Sequence, residues 1–264
     1  LDFIMDIKSI KRAKGFLFDL DGVFIQSDRL LPGALKTIQV LENKSIPFRF
    51  LTNTTTKSRN TLHTMLLGMG IKCKREHIFS AGYSGVKTIR EMGNPSCVLY
   101  ISDDLKKDYK IFNLKASNPE LIVIGDYDRW DFTMLNQAFN HVMNGAEILA
   151  LHLGKYYKVD SGLRLDSGSI VKALEYATDK EAIVVGKPSI KFFKVALDDL
   201  NLDPSEVLMI GDDLYSDIYG AQRVKVNGIL VKTGKYNPEI LEMNDVKPDG
   251  FINSIGNLAK ILRT

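Results

Sequence analysis

Phe16-Leu17-Phe18-Asp19-Leu20-Asp21-Gly22-Val23 sets a short apolar run against two acids and a glycine. Continuous apolar residues suit a strand covered on both faces, so the run reads as a buried strand that stops at Asp19. The same pattern recurs. Phe48-Arg49-Phe50-Leu51 stops at Thr52, with Asn53 next. Ala182-Ile183-Val184-Val185 stops at Gly186, with Lys187 next. Val207-Leu208-Met209-Ile210 stops at Gly211, with Asp212, Asp213 and Asp217 beyond it. His77-Ile78-Phe79 and Gly228-Ile229-Leu230-Val231 read as further strands.

Helix-period segments separate these runs. Pro32 to Lys44 places Leu35, Ile38 and Leu41 on one face, and Lys57 to Leu67 does the same with Leu62, Met65 and Leu66. Ser189 caps a helix whose inner face is Phe193, Ala196, Leu197 and Leu200. Ser216 to Val224 and Ser254 to Leu262 are helical too. Apolar strands alternating with helices predict an α/β fold, a Rossmann-like parallel sheet sandwiched in a three-layer α/β/α core.

The composition is that of a globular chain: 45% hydrophobic and 25% charged, which allows a real core and argues against disorder. Lys plus Arg is 35 and Asp plus Glu is 32, a net charge of +3, too small to argue for nucleic acid or an anionic membrane as partner. The densest basic cluster, Lys72, Lys74 and Arg75, reads as a solvated helix end. Cys73 and Cys97 are too few for a disulfide scaffold and match no zinc spacing. Leu1 to Lys14 is charged throughout and has no signal-like apolar stretch, so a cytoplasmic setting is expected.

Ligands of open parallel sheets bind outside the carboxyl ends of the strands. Each polar strand end has an ordinary reading by itself. Asp19 to Gly22 makes a turn, Thr52 to Thr55 and Asp212-Asp213 make helix caps, and Lys187 is a surface lysine. Those readings do not explain the conjunction, in this order and each at a strand end. Clustered carboxylates repel and call for a cation. An all-oxygen donor set suits Mg2+. A carboxylate can attack phosphorus, and a second one two residues on can serve as general acid and base. A hydroxyl, backbone N–H groups and a lysine can hold phosphoryl oxygens. The set therefore fits phosphoryl transfer.

These motifs resemble, in order, those of the haloacid dehalogenase-like phosphatases: Phe18-Asp19-Leu20-Asp21-Gly22-Val23, Leu51-Thr52-Asn53, Gly186-Lys187-Pro188 and Gly211-Asp212-Asp213-Leu214-Tyr215-Ser216-Asp217. The likeness runs from about Gly15 to about Leu262 and points to the subgroup typified by NagD. It implies that Asp19 is the nucleophile and Asp21 the general acid and base. Thr52, Asn53 and Lys187 would bind the phosphoryl group, with Lys187 also orienting Asp19. Mg2+ would be held by Asp19, the backbone carbonyl of Asp21, and Asp212, with Asp213 and Asp217 behind them. An acid at position 21 favours a phosphohydrolase over a dehalogenase.

Between Asn53 and Lys187 stand 133 residues, far more than one helix–strand unit needs. The segment 82–184 is expected to be an inserted α/β cap of the C2 type, leaving 1–81 and 185–264 as a discontinuous core. Within it, Cys97 to Ile101, Leu121 to Ile124 and Ile148 to Leu151 read as strands. Phe132, Leu135, Phe139 and Val142 mark a helix, and Ile170, Ala173, Leu174 and Ala177 mark another. Tyr156 to Leu165 reads as a hairpin turning at Asp160-Ser161-Gly162. Lys155, Tyr156, Tyr157, Lys158 and Arg164 around it are the candidate substrate contacts, with lid packing by the tyrosines as the alternative. Trp130 reads as lid packing, and His141 and His152 have no metal-ligand partner at suitable spacing. The expected partner is a small phosphorylated substrate, and the resemblance implies pyrophosphate or a phosphorylated lysine or histidine as alternatives. The resemblance also implies a homodimer through the cap. Competing classes are a non-catalytic phosphate-binding protein on the same fold and a receiver-like module, against which Asp21 and the long insertion both argue.

Overall fold

Phe16, Leu17 and Phe18 are wholly buried, as a strand covered on both faces requires. The computed structural model describes residues 7–26, 28–159 and 162–263. In chain order the strands are β1 (Gly15–Phe18), β2 (Ile25–Gln26), β3 (Arg29–Leu30), β4 (Phe48–Thr52), β5 (Ile78–Ser80), β6 (Cys97–Tyr100) and β7 (Leu121–Ile124). There follow β8 (Glu147–Ala150), β9 (Tyr156–Val159), β10 (Gly162–Leu165), β11 (Ile183–Val184), β12 (Val207–Gly211), β13 (Asn227–Val231) and β14 (Gly250–Ile252). The chain divides into two units, one of 1–52, 63–79 and 187–264, the other of 53–62 and 80–186.

The first unit is built on the sheet β14-β13-β12-β1-β4-β5. β1 runs parallel to both neighbours, with Leu17 opposite Met209 on one side and Arg49 on the other. From β1 the chain proceeds to β4 and β5 on one side, and later places β12, β13 and β14 on the other. The strand order thus reverses at β1, which is where such sheets bind ligands. Phe18, Phe24 and Phe50 pack ring against ring, with centroids 5.1 Å and 5.3 Å apart, and fix the floor beneath this point.

Helix Ala34–Asn43 buries Ala34, Thr37, Ile38, Val40 and Leu41, while Leu35, expected inside, is exposed. Gly33 explains the rotation: a Cβ there would stand 2.3 Å from the Gly256 Cα. That close approach, together with the Thr37 hydroxyl donating to the Ile255 carbonyl at 2.9 Å, turns the Ala34–Thr37 side inward. The stretch expected as a helix over 216–224 is a π-helix, Leu214–Tyr219, followed by a short α-turn, Gly220–Gln222. Ser189 stands at the start of helix Ile190–Leu200, but its side chain makes no capping bond.

The second unit holds the sheet β11-β8-β7-β6, parallel at each of its pairings. β11 therefore belongs to this sheet, as its edge, and not to the sheet of β1. A two-residue apolar pairing, Ile183 with Leu149 and Val184 with Ala150, decides the matter, and no local pattern distinguishes one parallel sheet from another. Helix Phe132–Met143 has Phe132 itself exposed and buries Ala138 and Val142. Trp130 stacks on Tyr100 at 4.8 Å. β9 and β10 form a separate antiparallel pair, and Asp160 and Ser161 of the expected turn lie outside the described residues. Among the described residues, no helix is long and apolar enough to cross a membrane.

Candidate active site

β1 and β12 are neighbours, so the residues that follow them, Asp19 and Asp212, emerge side by side at the reversal point. Both are buried, as are Asp217 and Lys187. The Lys187 ammonium donates to Asp19 Oδ1 and to Asp217 Oδ1, each at 2.7 Å. Asp217 Oδ2 accepts the backbone N–H groups of Asp212 and Asp213, both at 3.1 Å. Both oxygens of Asp217 are thus engaged by the protein itself, which makes it a brace for the loop and for Lys187. The π-helix serves this purpose, since the turn must carry Asp217 back toward Gly211, and such turns favour functional sites. A Cβ at Gly211 would lie 2.3 Å from the Asp217 Cβ.

Asp213 caps the π-helix, accepting from the N–H groups of Tyr215 at 3.0 Å and Ser216 at 2.9 Å. Its other oxygen takes the Lys235 ammonium at 3.0 Å. The Lys235 N–H donates to Asp212 Oδ2 at 2.8 Å. Glycines make room for that carboxylate: a Cβ at Gly22 or at Gly234 would stand 2.0 Å from Asp212 Oδ2. The Thr233 hydroxyl donates to the Gly22 carbonyl at 2.5 Å, tying the loop after β13 to the loop after β1. Thr233, Gly234 and Lys235 are not among the site residues expected from the sequence, although they too follow an apolar strand, Asn227–Val231.

Burial raises the pKa of Asp19, against the pull of Lys187 and with a further push from Asp21. Burial, then Asp19 and Asp217, raise that of Asp212. Asp217 is pushed up to about 7, mainly by burial. Burial works against the Lys187 charge, but Asp19 and Asp217 outweigh it and hold its pKa above the ordinary lysine value. Asp19, Asp212 and Asp217 offer carboxylate oxygens within 4.8 Å of one another. Asp19, Asp212, Asp213 and Asp217, set against Lys187 and Lys235, leave two negative charges when all are ionised. An oxygen-only donor set with that excess fits a divalent cation such as Mg2+.

Of the other expected site residues, Asp21 is exposed beside this cluster in sequence, and Thr52 is buried at the end of β4. Asn53 begins the second unit, where a Cβ at Gly186 would stand 2.7 Å from its Oδ1. Lys155, Tyr156, Tyr157 and Arg164 are exposed on the second unit, and the side chain of Lys158 lies outside the described residues.

A profile described as haloacid dehalogenase-like hydrolase matches residues 16–115, and one described as HAD-hydrolase-like matches 184–258. Phospholysine phosphohistidine inorganic pyrophosphate phosphatase of Danio rerio is 36% identical over 257 residues, covering 94% of each chain. The chain belongs to the haloacid dehalogenase-like hydrolase family. Human haloacid dehalogenase-like hydrolase domain-containing protein 2 is 38% identical over 227 residues, 86% of each chain. Among solved structures, the 4-nitrophenylphosphatase of Thermotoga maritima superposes with a TM-score of 0.89 at 27% identity, covering 96% of this chain and 99% of its own. The p-nitrophenyl phosphatase of Archaeoglobus fulgidus gives 0.88 at 26%, covering 94% and 98%.

Without a cation, folded Asp217 keeps its proton to about pH 7, whereas an unfolded aspartate loses it near 3.8. Between those values the folded state binds more protons, so stability falls as pH rises. Asp19 and Asp212 act in the same direction. Thermal melts with and without Mg2+ should therefore separate more at pH 8 than at pH 5. An equal separation at both pH values would show that protons on these carboxylates do not compete with the cation.

Proposed function

We propose that this hydrolase is a Mg2+-dependent phosphatase that transfers the phosphoryl group of a small substrate to Asp19 and then to water. The observation that carries the reading is the buried Lys187 ammonium, shared by Asp19 and Asp217 at 2.7 Å beside Asp212. Lys187 holds Asp19 Oδ1, which orients the carboxylate for in-line attack on phosphorus. Asp21 protonates the leaving oxygen. It then takes a proton from the water that attacks the aspartyl-phosphate, releasing phosphate and restoring Asp19. Lys187, Thr52 and Asn53 bind the phosphoryl oxygens. Asp19, the backbone carbonyl of Asp21, and Asp212 would hold Mg2+, whose charge neutralises the carboxylates and the phosphoryl group when it is bound. Asp213 and Asp217 fix the loop that presents Asp212. The inserted unit acts as the substrate cap, supported by its place in the chain between Thr52 and Lys187.

The substrate class is a small phosphorylated molecule. Pyrophosphate and phosphorylated lysine or histidine are candidates because the zebrafish relative carries them in its name. With Mg2+ present, phosphate release from 4-nitrophenyl phosphate, pyrophosphate and a metabolite panel should exceed that of Asp19→Asn by at least about a thousandfold on the best substrate. Release no greater than that of Asp19→Asn on every compound would contradict the proposal.

A homodimer through the hairpin is part of the same reading. Tyr156, Leu163 and Leu165 are exposed, Leu165 pairs with Tyr156, and an isolated two-stranded hairpin is marginal in water. Sedimentation should give a dimer that Leu165→Lys converts to monomer, and a monomeric parent chain would overturn this part.

A further inference from the structure

β6, β7 and β8 are parallel neighbours, and the loops at their carboxyl ends frame a crevice of the kind that binds ligands. Here the crevice is filled by the chain's own Thr55, which is fully buried. Past β6, the Ser102 hydroxyl donates to the Thr55 carbonyl at 3.0 Å. Past β7, Asp126 meets the Thr55 hydroxyl twice. Thr55 Oγ1 donates to Asp126 Oδ2 at 2.7 Å and accepts the Asp126 N–H at 2.7 Å. Past β8, His152 Nε2 lies 3.5 Å from Thr55 Oγ1. Gly125 leaves the room required, since a Cβ there would stand 3.0 Å from that hydroxyl. Further along, the Ser58 N–H donates to Asp104 Oδ2 at 2.7 Å and the Arg59 N–H to Asp108 Oδ2 at 2.8 Å. The segment is held along its length.

Asp126, His152 and Asp166 also bring three ligand atoms within 4.8 Å of one another, which raises a metal site as the alternative. The imidazole argues against it. The Gly154 N–H donates to His152 Nδ1 at 3.1 Å, so Nδ1 carries the lone pair and the neutral ring has its proton on Nε2. Nε2 is the atom that faces the carboxylates, at 3.9 Å from each, and it stands 3.2 Å from the Ser167 hydroxyl. A cation would have to displace that proton, whereas an N–H donor suits the hydroxyls and carboxylates already present.

We propose that Thr55 is a positioning residue. The socket of Ser102, Asp126 and His152 fixes the loop that follows Thr52, and so holds in place the Asn53 amide, which the phosphatase reading assigns to phosphoryl binding. This rests on the phosphatase reading.

The test compares Thr55→Val, which removes the hydroxyl at nearly constant volume, with Thr55→Ser, which keeps it. Ser102→Ala releases one bond and serves if Thr55→Val does not fold. Phosphate affinity is read by calorimetry with Mg2+ present, and KM and kcat with 4-nitrophenyl phosphate. Thr55→Val should weaken phosphate binding and raise KM by about tenfold, as the loss of a buried hydrogen-bonding partner implies, with Thr55→Ser within about twofold of the parent. Ser102→Ala should shift both the same way by a smaller factor. Unchanged phosphate affinity in Thr55→Val or, if that variant does not fold, in Ser102→Ala would overturn the proposal. So would a loss in Thr55→Ser as deep as in Thr55→Val. Stoichiometric zinc or manganese that is lost in His152→Gln would overturn it in favour of a metal site. A parent chain that binds phosphate but does not turn over refutes the phosphatase reading alone, because the phosphate affinities still decide the role of Thr55.

Discussion

The Lys187 ammonium, with 2% of its side chain exposed, stands 2.7 Å from Asp19 Oδ1 and from Asp217 Oδ1. Taking such charges out of water costs several kcal/mol each unless every partner is fixed. That requirement shapes the surroundings. Asp217 must be held, and the N–H groups of Asp212 and Asp213 hold it, which dictates the π-helix after β12. Asp212 must face Asp19 without a side chain in the way, and Gly22 and Gly234 leave that space. Asp213 must leave the cluster, and it does so by capping the helix and taking Lys235. An acidic corner whose oxygens fit a divalent cation results from one buried ammonium and the groups that keep it satisfied.

The strand ends were legible because each apolar run and its polar stop are adjacent in sequence. Asp19, Thr52, Lys187 and Asp212 can be picked out as candidate site residues from the sequence alone, and the alternation of apolar strands with helices gives the α/β chain with parallel sheets that the structure has. What failed needed information that no short window contains. The run at 182–185 could not reveal which sheet it joins. Leu35 and Phe132 fitted their helical periods but face outward, because a helix's rotation is set by its closest contact, as at Gly33 against Gly256. The Thr55 socket joins residues 71 and 97 positions apart in sequence, so spacing arguments passed over His152.

The two units divide the chain at informative places. Thr52 ends one unit and Asn53 begins the other, and the same happens between Gly186 and Lys187. The insertion is joined to the core through residues that the sequence marks for phosphoryl binding. Under the proposed reading of the inserted unit as a cap, variation in it would change the substrate while Asp19, Lys187, Asp212 and Asp217 keep their arrangement.

The proposed mechanism makes Asp19 itself the acceptor of the phosphoryl group. It is tested most directly by stopping the enzyme in acid during turnover, reducing with borohydride and sequencing the peptides by mass spectrometry. An acyl phosphate on Asp19 is converted to homoserine at position 19, a product expected only when substrate and Mg2+ are both present. Steady turnover with an unmodified Asp19, or with the modification on another residue, would contradict it.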